Sequence, residues 1–378
     1  MKDRIMHTDC RWYIGDRPCR PHKREGVVCA NCPYEAKISR RILIVKLGAA
    51  GDVLRTTALL EPLRRAESDA HITWITAPSA VPLLENIEPI DRVLALTPGT
   101  LAILAVEGFD LVCGLDLDPE STAVSELVQA KEKRGFGRTP EGAVRSFDPA
   151  GIPYVQMSLW DDLKRANTKT YQDLMLEILH LDGPVGKIQV PIPPECTEKV
   201  NRHAKEEWKV DFTKPVLGLN IGSGGRWKKK AWTVEGFQSI AERAHLELDA
   251  TVFLLYGPED MDRAEYLLKH ITTPVIDTGG DNSLAEFAAI MNLCDVVVTG
   301  DTLGLHFALG LGKRVVVPVG PTSSAELELY GQGTILQGAV DCLGCYLPDC
   351  DRKPDCMQSL SADRVWNAVR EQFALAGR

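Results

Sequence analysis

The chain has 378 residues, and 43 Lys and Arg against 52 Asp and Glu leave a formal net charge of −9 at pH 7. A hydrophobic fraction of 44% and a charged fraction of 25% exclude a disordered chain, and the length suits two cores better than one. The negative balance argues against nucleic acid as a partner, and no run nears the ~18 apolar residues of a membrane span.

The start, MKDRIMHTDC, lacks an apolar signal core, so a cytoplasmic chain is expected. Charge alone leaves contact with a membrane surface open. The first 32 residues carry Cys10, Cys19, Cys29 and Cys32, spaced C-x8-C-x9-C-x2-C. A second set near the end, Cys342, Cys345, Cys350 and Cys356, is spaced C-x2-C-x4-C-x5-C. Disulfides are not expected in a reducing compartment. Four thiolates at short spacing suit a tetrahedral soft-metal site, and each set holds a C-x2-C pair that reaches one metal from a single turn. Zinc and an iron–sulfur cluster both fit, and the spacing leaves open whether there are one or two sites. Unligated thiols or redox pairs are the plain alternative. Cys113, Cys196 and Cys294 sit among apolar neighbours and read as inert core residues.

After Pro33 the text becomes alternating strands and helices. Residues 41–47 form a short β-branched apolar run, the mark of a buried parallel strand. A turn follows at 48–51, then a helix from Asp52 to about Ala66. Further strands are expected over 72–76, 92–96 and 110–115, and a long helix over 159–181. Val190-Pro-Ile-Pro-Pro194 cannot continue a helix or a central strand and reads as an extended linker. The pattern then restarts, with a strand over 215–221, a helix over 233–246, a strand over 251–256 and a helix from about 259. Ser283-Leu-Ala-Glu286 is a capping-box pattern. Strands over 296–299 and 314–319 flank a helix from about 302, and Val365, Val369 and Phe373 line one face of a terminal helix. Such alternation implies an α/β layer fold with parallel sheets. The expected division is a Cys-rich segment 1–37, Rossmann-like halves over 38–190 and 191–341, and a Cys-rich segment with the terminal helix over 342–378.

Two α/β halves create a cleft, and ligands of open sheets bind outside the carboxyl ends of strands. Four strand-end turns therefore matter. Gly48-Ala-Ala-Gly-Asp52 lacks a Walker lysine and a G-x-G-x-x-G pattern. Asp52 there reads either as an N-cap or as a general base at the cleft mouth. Gly222-Ser223-Gly-Gly-Arg226-Trp-Lys228-Lys229-Lys230 combines backbone donors and cations, so phosphate binding is favoured over a plain solvated loop. Asp301, Thr302 and His306 open a helix directly after a strand. They read as caps and a core histidine, or together as a site. Gly320-Pro-Thr-Ser-Ser324 is weak by itself.

The set ILIVKLGAAGDVLRTTALLEPLR, GSGGRWKKKAWTVEGF and VVVTGDTLGLHFALGLGKRVVVPVGPT, in that order over about 41–340, resembles glycosyltransferase family 9, the heptosyltransferases of lipopolysaccharide synthesis. The resemblance implies a GT-B fold of two facing Rossmann-like domains. It implies inverting transfer from a nucleotide-diphosphate sugar, heptose-like by family default, to a glycan or glycolipid hydroxyl. No catalytic metal is implied, and peripheral contact with the cytoplasmic face of the inner membrane stays open. Asp52 matches the family aspartate that deprotonates the acceptor. Lys230 matches the lysine of a Lys-x-Trp element on the donor phosphate and sugar. Asp301, Thr302 and His306 match a donor-binding Asp-Thr motif, and Ser223 and Glu259 join the donor set, Glu259 toward the ribose. Leu303 stands where the family commonly has glycine, with Gly304 one place later. The alternatives are a GT-B nucleotide-sugar epimerase and a metal-binding sensor on a degenerate scaffold.

Overall fold

The computed structural model describes residues 5–224 and 227–378, the side chain of Lys228 excepted. The chain forms two compact units, each interrupted in sequence. One comprises residues 1–48, 59–155 and 175–186; the other comprises 49–58, 156–174 and 187–378. The helix carrying Asp52 thus clusters with the second unit.

The first unit is built on strands β1 (Arg41–Val45), β2 (His71–Thr76), β3 (Arg92–Ala95), β4 (Phe109–Gly114), β5 (Ala130–Arg138) and β6 (Val144–Ser146). Their order is β3-β2-β1-β4-β5-β6. All neighbours are parallel except β5 and β6. Ile42 to Val45 are fully buried, as expected of a strand covered on both faces. Leu43, Val45, Ile75, Val112 and Val124 share one core cluster. At the end of β1, the buried Lys46 is paired with Asp116, which also accepts from Leu47 N at 2.8 Å.

The second unit repeats the plan with β7 (Val216–Asn220), β8 (Thr251–Leu255), β9 (Ile276–Asp277), β10 (Val296–Thr299), β11 (Arg314–Val319) and β12 (Gly333–Gln337). Its order is β12-β11-β10-β7-β8-β9, parallel throughout. Read from β9, this is the doubly wound 3-2-1-4-5-6 order, whose switch point lies between β7 and β10. The terminal helix Ala362–Leu375 buries Val365, Trp366, Val369 and Phe373 in the core with Leu217, Val252 and Val316. Ser283 and Glu286 close a capping box at the start of helix Leu284–Met291, as their spacing suggests.

Several expectations are corrected. The helix expected over 159–181 is broken into Ile152–Leu159, Asp161–Ala166 and Tyr171–Ile178. Asn167 Oδ1 accepts from Lys169 N at 3.0 Å, and Thr170 Oγ1 accepts from Asp173 N at 3.1 Å. These local bonds replace helical ones. The helix expected from Asp52 to Ala66 is likewise split by a tight turn at Thr57–Leu59. A further helix, Pro194–Glu206, starts on the last proline of the Pro-rich stretch, where a missing N–H costs nothing. Cys113 and Cys294 are buried, and burial pushes both thiols up to about 12. Cys196 is only half-buried and is not a core residue. Among the described residues, no helix is long and apolar enough to cross a membrane.

Candidate active site

The second unit's switch point is where its polar residues gather. Asn220 and Thr299 end adjacent strands in register. Asn220 Nδ2 donates to Thr299 Oγ1 at 2.8 Å and to Thr302 Oγ1 at 3.1 Å. Thr302 occupies the N-cap position of helix Leu303–Gly310 but makes no side-chain cap bond. Leu305 N donates to Thr302 O at 3.1 Å, but no side-chain cap covers the start of the helix, which suits an anion site. A Cβ at Gly304 would lie 2.3 Å from Asn220 Nδ2, so the glycine after Leu303 is there to admit the asparagine. Gly304→Ala is expected to cost roughly 1–3 kcal/mol through overpacking, read from urea unfolding.

Lys230 Nζ donates to Asp301 Oδ2 at 2.9 Å and to Asp301 O at 3.3 Å. Burial would raise the Asp301 carboxyl, but the charge and hydrogen bond of Lys230, with Arg55 and His306, outweigh it and hold the group low. The lysine also lies 6.0 Å from the Trp227 ring centre. His306 is buried, and among the described residues its Nδ1 has no hydrogen-bond partner. Burial and then the Arg55 charge pull its pKa down to about 4, against Asp301 and Asp52. The unfolded ring titrates near 6.5. Between those values the unfolded chain binds a proton that the folded chain refuses. The stabilisation is therefore complete above about pH 6.5 and drains as pH falls toward 4. The loss is on the order of 3 kcal/mol at most. Urea midpoints at about pH 7 and about pH 4.5 should therefore lie closer together in His306→Gln than in the wild type.

Asp52 reaches this unit on helix Ala50–Thr56. It does not cap that helix: Ala49 holds the N-cap position and Asp52 sits in the first turn. Arg55 Nη2 lies 2.8 Å from Asp52 Oδ1, and the guanidinium stacks 3.9 Å from the centre of the Tyr171 ring. Tyr171 in turn shares a 2.9 Å hydrogen bond with Thr56. A Cβ on Gly51 would lie 3.2 Å from His306 Cδ2 and 3.4 Å from Leu303 Cα. Gly51 thereby lets the Asp52 helix lie close against the start of helix Leu303–Gly310. Asp52, Arg55, Lys230, Asp301, Thr302 and His306 thus belong to one electrostatic neighbourhood.

The remaining expected residues are more dispersed. Ser223 N approaches Asp260 Oδ1 at 3.4 Å, and a Cβ on Gly222 would lie 2.2 Å from Asp260 Oδ2. Asp260, adjacent to Glu259, is therefore the carboxylate against this turn. Glu259 is exposed, with Oε2 3.5 Å from where a Cβ on Gly224 would stand. Lys229 pairs with buried Asp355 at 3.2 Å, so it braces the C-terminal segment. Arg226, and the side chain of Lys228, lie outside the described residues. Residue reasoning passed over Arg55, Asn220, Tyr171 and Asp260; of these only Arg55, three residues after Asp52, carried a local signal.

All four N-terminal cysteines line one cavity in the first unit. In the second unit, burial and then Asp355, Cys345, Cys342 and Cys350 push the Cys356 thiol up to about 11. Among the described residues, no three His, Cys, Asp or Glu side chains stand ready around one point as a cation site.

A family model described as glycosyltransferase family 9 (heptosyltransferase) matches residues 105–345. The chain belongs to glycosyltransferase family 9. It is a glycosyltransferase. This family-9 chain is 21% identical over 300 residues to the lipopolysaccharide core heptosyltransferase OpsX of Haemophilus influenzae, covering 75% of this chain and 80% of that protein. Its fold is similar to that of a family-9 glycosyltransferase from Veillonella parvula, with TM-score 0.72, 20% identity, and 89% and 98% of the two chains covered. It is also similar to the E. coli ADP-heptose LPS heptosyltransferase II, with TM-score 0.66, 15% identity, and 90% and 100% covered. The two predominantly parallel sheets are those of a GT-B-like architecture.

Proposed function

We propose that this family-9 enzyme transfers a heptose-like sugar, with inversion, from a nucleotide-diphosphate sugar to a hydroxyl of a lipopolysaccharide-type glycan or glycolipid. The names of its relatives make ADP-heptose the first donor to test. The observation that carries the reading is the packing of Gly51 against His306 and Leu303, which puts Asp52 in the same neighbourhood as Lys230 and Asp301.

In the proposed step the acceptor oxygen bonds to the anomeric carbon as the bond from that carbon to the diphosphate oxygen breaks. The acceptor proton passes to the Asp52 carboxylate. The bonding pair leaves with the diphosphate. Lys230 and the amides of helix Leu303–Gly310 receive the charge that develops there. Asp301 holds the lysine in place. Arg55 fixes the rotamer of Asp52 by its ion pair, while Tyr171 backs the guanidinium. None of these steps requires a metal, so no catalytic cofactor is proposed. Ser223 and Glu259 are assigned to the donor side, with Glu259 toward the ribose. Work at the cytoplasmic face of the inner membrane, by peripheral contact, fits an acceptor of this kind.

The C-terminal cysteines are proposed to hold a structural zinc or iron–sulfur group. Soft thiolates suit either, and the fields of three of these thiols reach the fourth. The group would brace the segment that carries Asp355, the partner of Lys229.

The deciding experiment is a thermal-shift screen of nucleotide sugars followed by product analysis. Selective stabilisation by ADP-heptose and appearance of a glycosylated acceptor support the reading. Isomerised donor without transfer would replace it with an epimerase, and metal without nucleotide-sugar binding would replace it with a sensor.

A further inference from the structure

The segment before β1 is ordered with almost no core of its own. Of residues 5–39 only Pro21 is buried. The segment holds one six-residue helix, Arg20–Glu25, a three-residue turn at Cys29–Asn31 and a single bridge from Cys10 to Lys37. Burial this sparse does not hold such a shape, and segments of this size are ordinarily tied by a disulfide or a metal. All the cysteines here are free thiols.

Cys10, Cys19, His22, Cys29 and Cys32 line one cavity of about 320 Å³. His22 is the member that a cysteine inventory passes over. Its Nδ1 lies 2.8 Å from the carbonyl oxygen of Val27. A carbonyl can only accept, so Nδ1 carries the hydrogen and the neutral ring keeps its lone pair on Nε2. That is the arrangement of a metal-binding histidine, whose other nitrogen is oriented by a backbone carbonyl. Cys19 stands at the N-cap position of the short helix, with Lys23 N bonded to its carbonyl at 3.0 Å, and His22 lies three residues on. Cys29 and Cys32 are joined by the turn in which Cys32 N donates to Cys29 O at 3.4 Å. Two donor pairs, each separated by two residues, therefore face one cavity from two turns. Cys10 has no such companion and is placed by the bridge to Lys37.

We propose that the first unit carries a structural zinc site whose ligands are Cys19, His22, Cys29 and Cys32. Three thiols and one imidazole form a closed tetrahedral set for zinc. On binding, Cys19, Cys29 and Cys32 release their protons to solvent and His22 ligates through neutral Nε2, so the site carries one net negative charge. The thiol donors do not stand gathered round a point beforehand because the ion itself closes such sites. This site uses none of the C-terminal cysteines and does not depend on the transferase reading.

The test uses the full-length chain, purified anaerobically from zinc-replete medium. Elemental analysis should show that Cys29→Ser and His22→Gln each lose about one equivalent of zinc relative to the wild type, whereas Cys10→Ser keeps it. Cobalt substituted into the wild type should show thiolate charge-transfer bands that weaken in the same two variants. Zinc retained by His22→Gln and lost from Cys10→Ser overturns the ligand set. Iron with acid-labile sulfide lost from Cys29→Ser overturns the metal. The wild type offers a check that no misfolded variant can spoil. A chelator should open the exposed Lys23 and Arg24 to trypsin, and added zinc should close them again. Cleavage there that ignores both chelator and zinc overturns the proposal.

Discussion

Asp52→Asn is expected to lower the transfer rate by on the order of 10²–10⁴-fold while nucleotide-sugar binding stays near the wild-type level. Asparagine keeps the size of the side chain and an oxygen that can accept from Arg55, which sits 2.8 Å from the carboxylate in the wild type. What disappears is the ability to take the acceptor proton. The effect should therefore fall on kcat at saturating donor, and donor affinity by calorimetry should be unchanged within about twofold. A structural role for Asp52 makes a different forecast. Losing a negative charge from the first turn of a helix costs about 0.3–1 kcal/mol of stability, and activity would then track the folded fraction. Wild-type turnover by a folded Asp52→Asn protein would end the assignment of this residue as the base.

Lys230→Ala is the second large effect, and it has two parts. The first is lost donor affinity together with a kcat reduced by on the order of 10²–10³-fold, as for removal of one preorganised charge at a developing anion. The second is structural. Lys230 and Asp301 form a mostly buried pair, and truncation leaves the carboxylate without its main counter-charge. Breaking a buried pair by deleting one member costs roughly 3–5 kcal/mol, and here the figure should be lower because Arg55 also acts on Asp301. The double variant Lys230→Met with Asp301→Asn should recover much of that stability and none of the activity. Chemical denaturation separates the structural part from the binding part. A double variant as unstable as Lys230→Ala would show that the pair is not what stability responds to.

The strongest signals in the sequence were those whose physics is local. The apolar run at 42–45 can only be a strand covered on both faces, and it is. The capping box at Ser283 satisfies its own helix amides within four residues. Glycines and polar side chains just after strands marked the switch-point region, because doubly wound sheets bind ligands there. Asp52, Lys230, Asp301, Thr302 and His306 were all singled out on that ground or by family resemblance, and they share a unit.

Other features depend on partners remote in sequence. β5 reads AKEKRGFGR, with no apolar alternation to announce it; it is a strand because β4 and β6 pair with it on either side. The expected helix at 159–181 had adequate periodicity, but Asn167 and Thr170 bond to nearby amides and break it. Asn220 falls inside the strand expected over 215–221, and its role comes only from Thr299, 79 positions away, as its hydrogen-bond partner. His22 carries no signal of its own in the sequence; the Val27 carbonyl sets its tautomer, and it lines one cavity with the four N-terminal cysteines.

Periodicity and turn residues act over a few positions, so the α/β class, the two-fold repetition of strands and helices and the chemistry available at strand ends are legible in the chain. Folding alone brings the Asp52 helix into the second unit, makes Arg55 its counter-charge and spends Lys229 on Asp355. Those outcomes follow from close approach and charge pairing between segments far apart in the chain, which no local pattern of residues encodes.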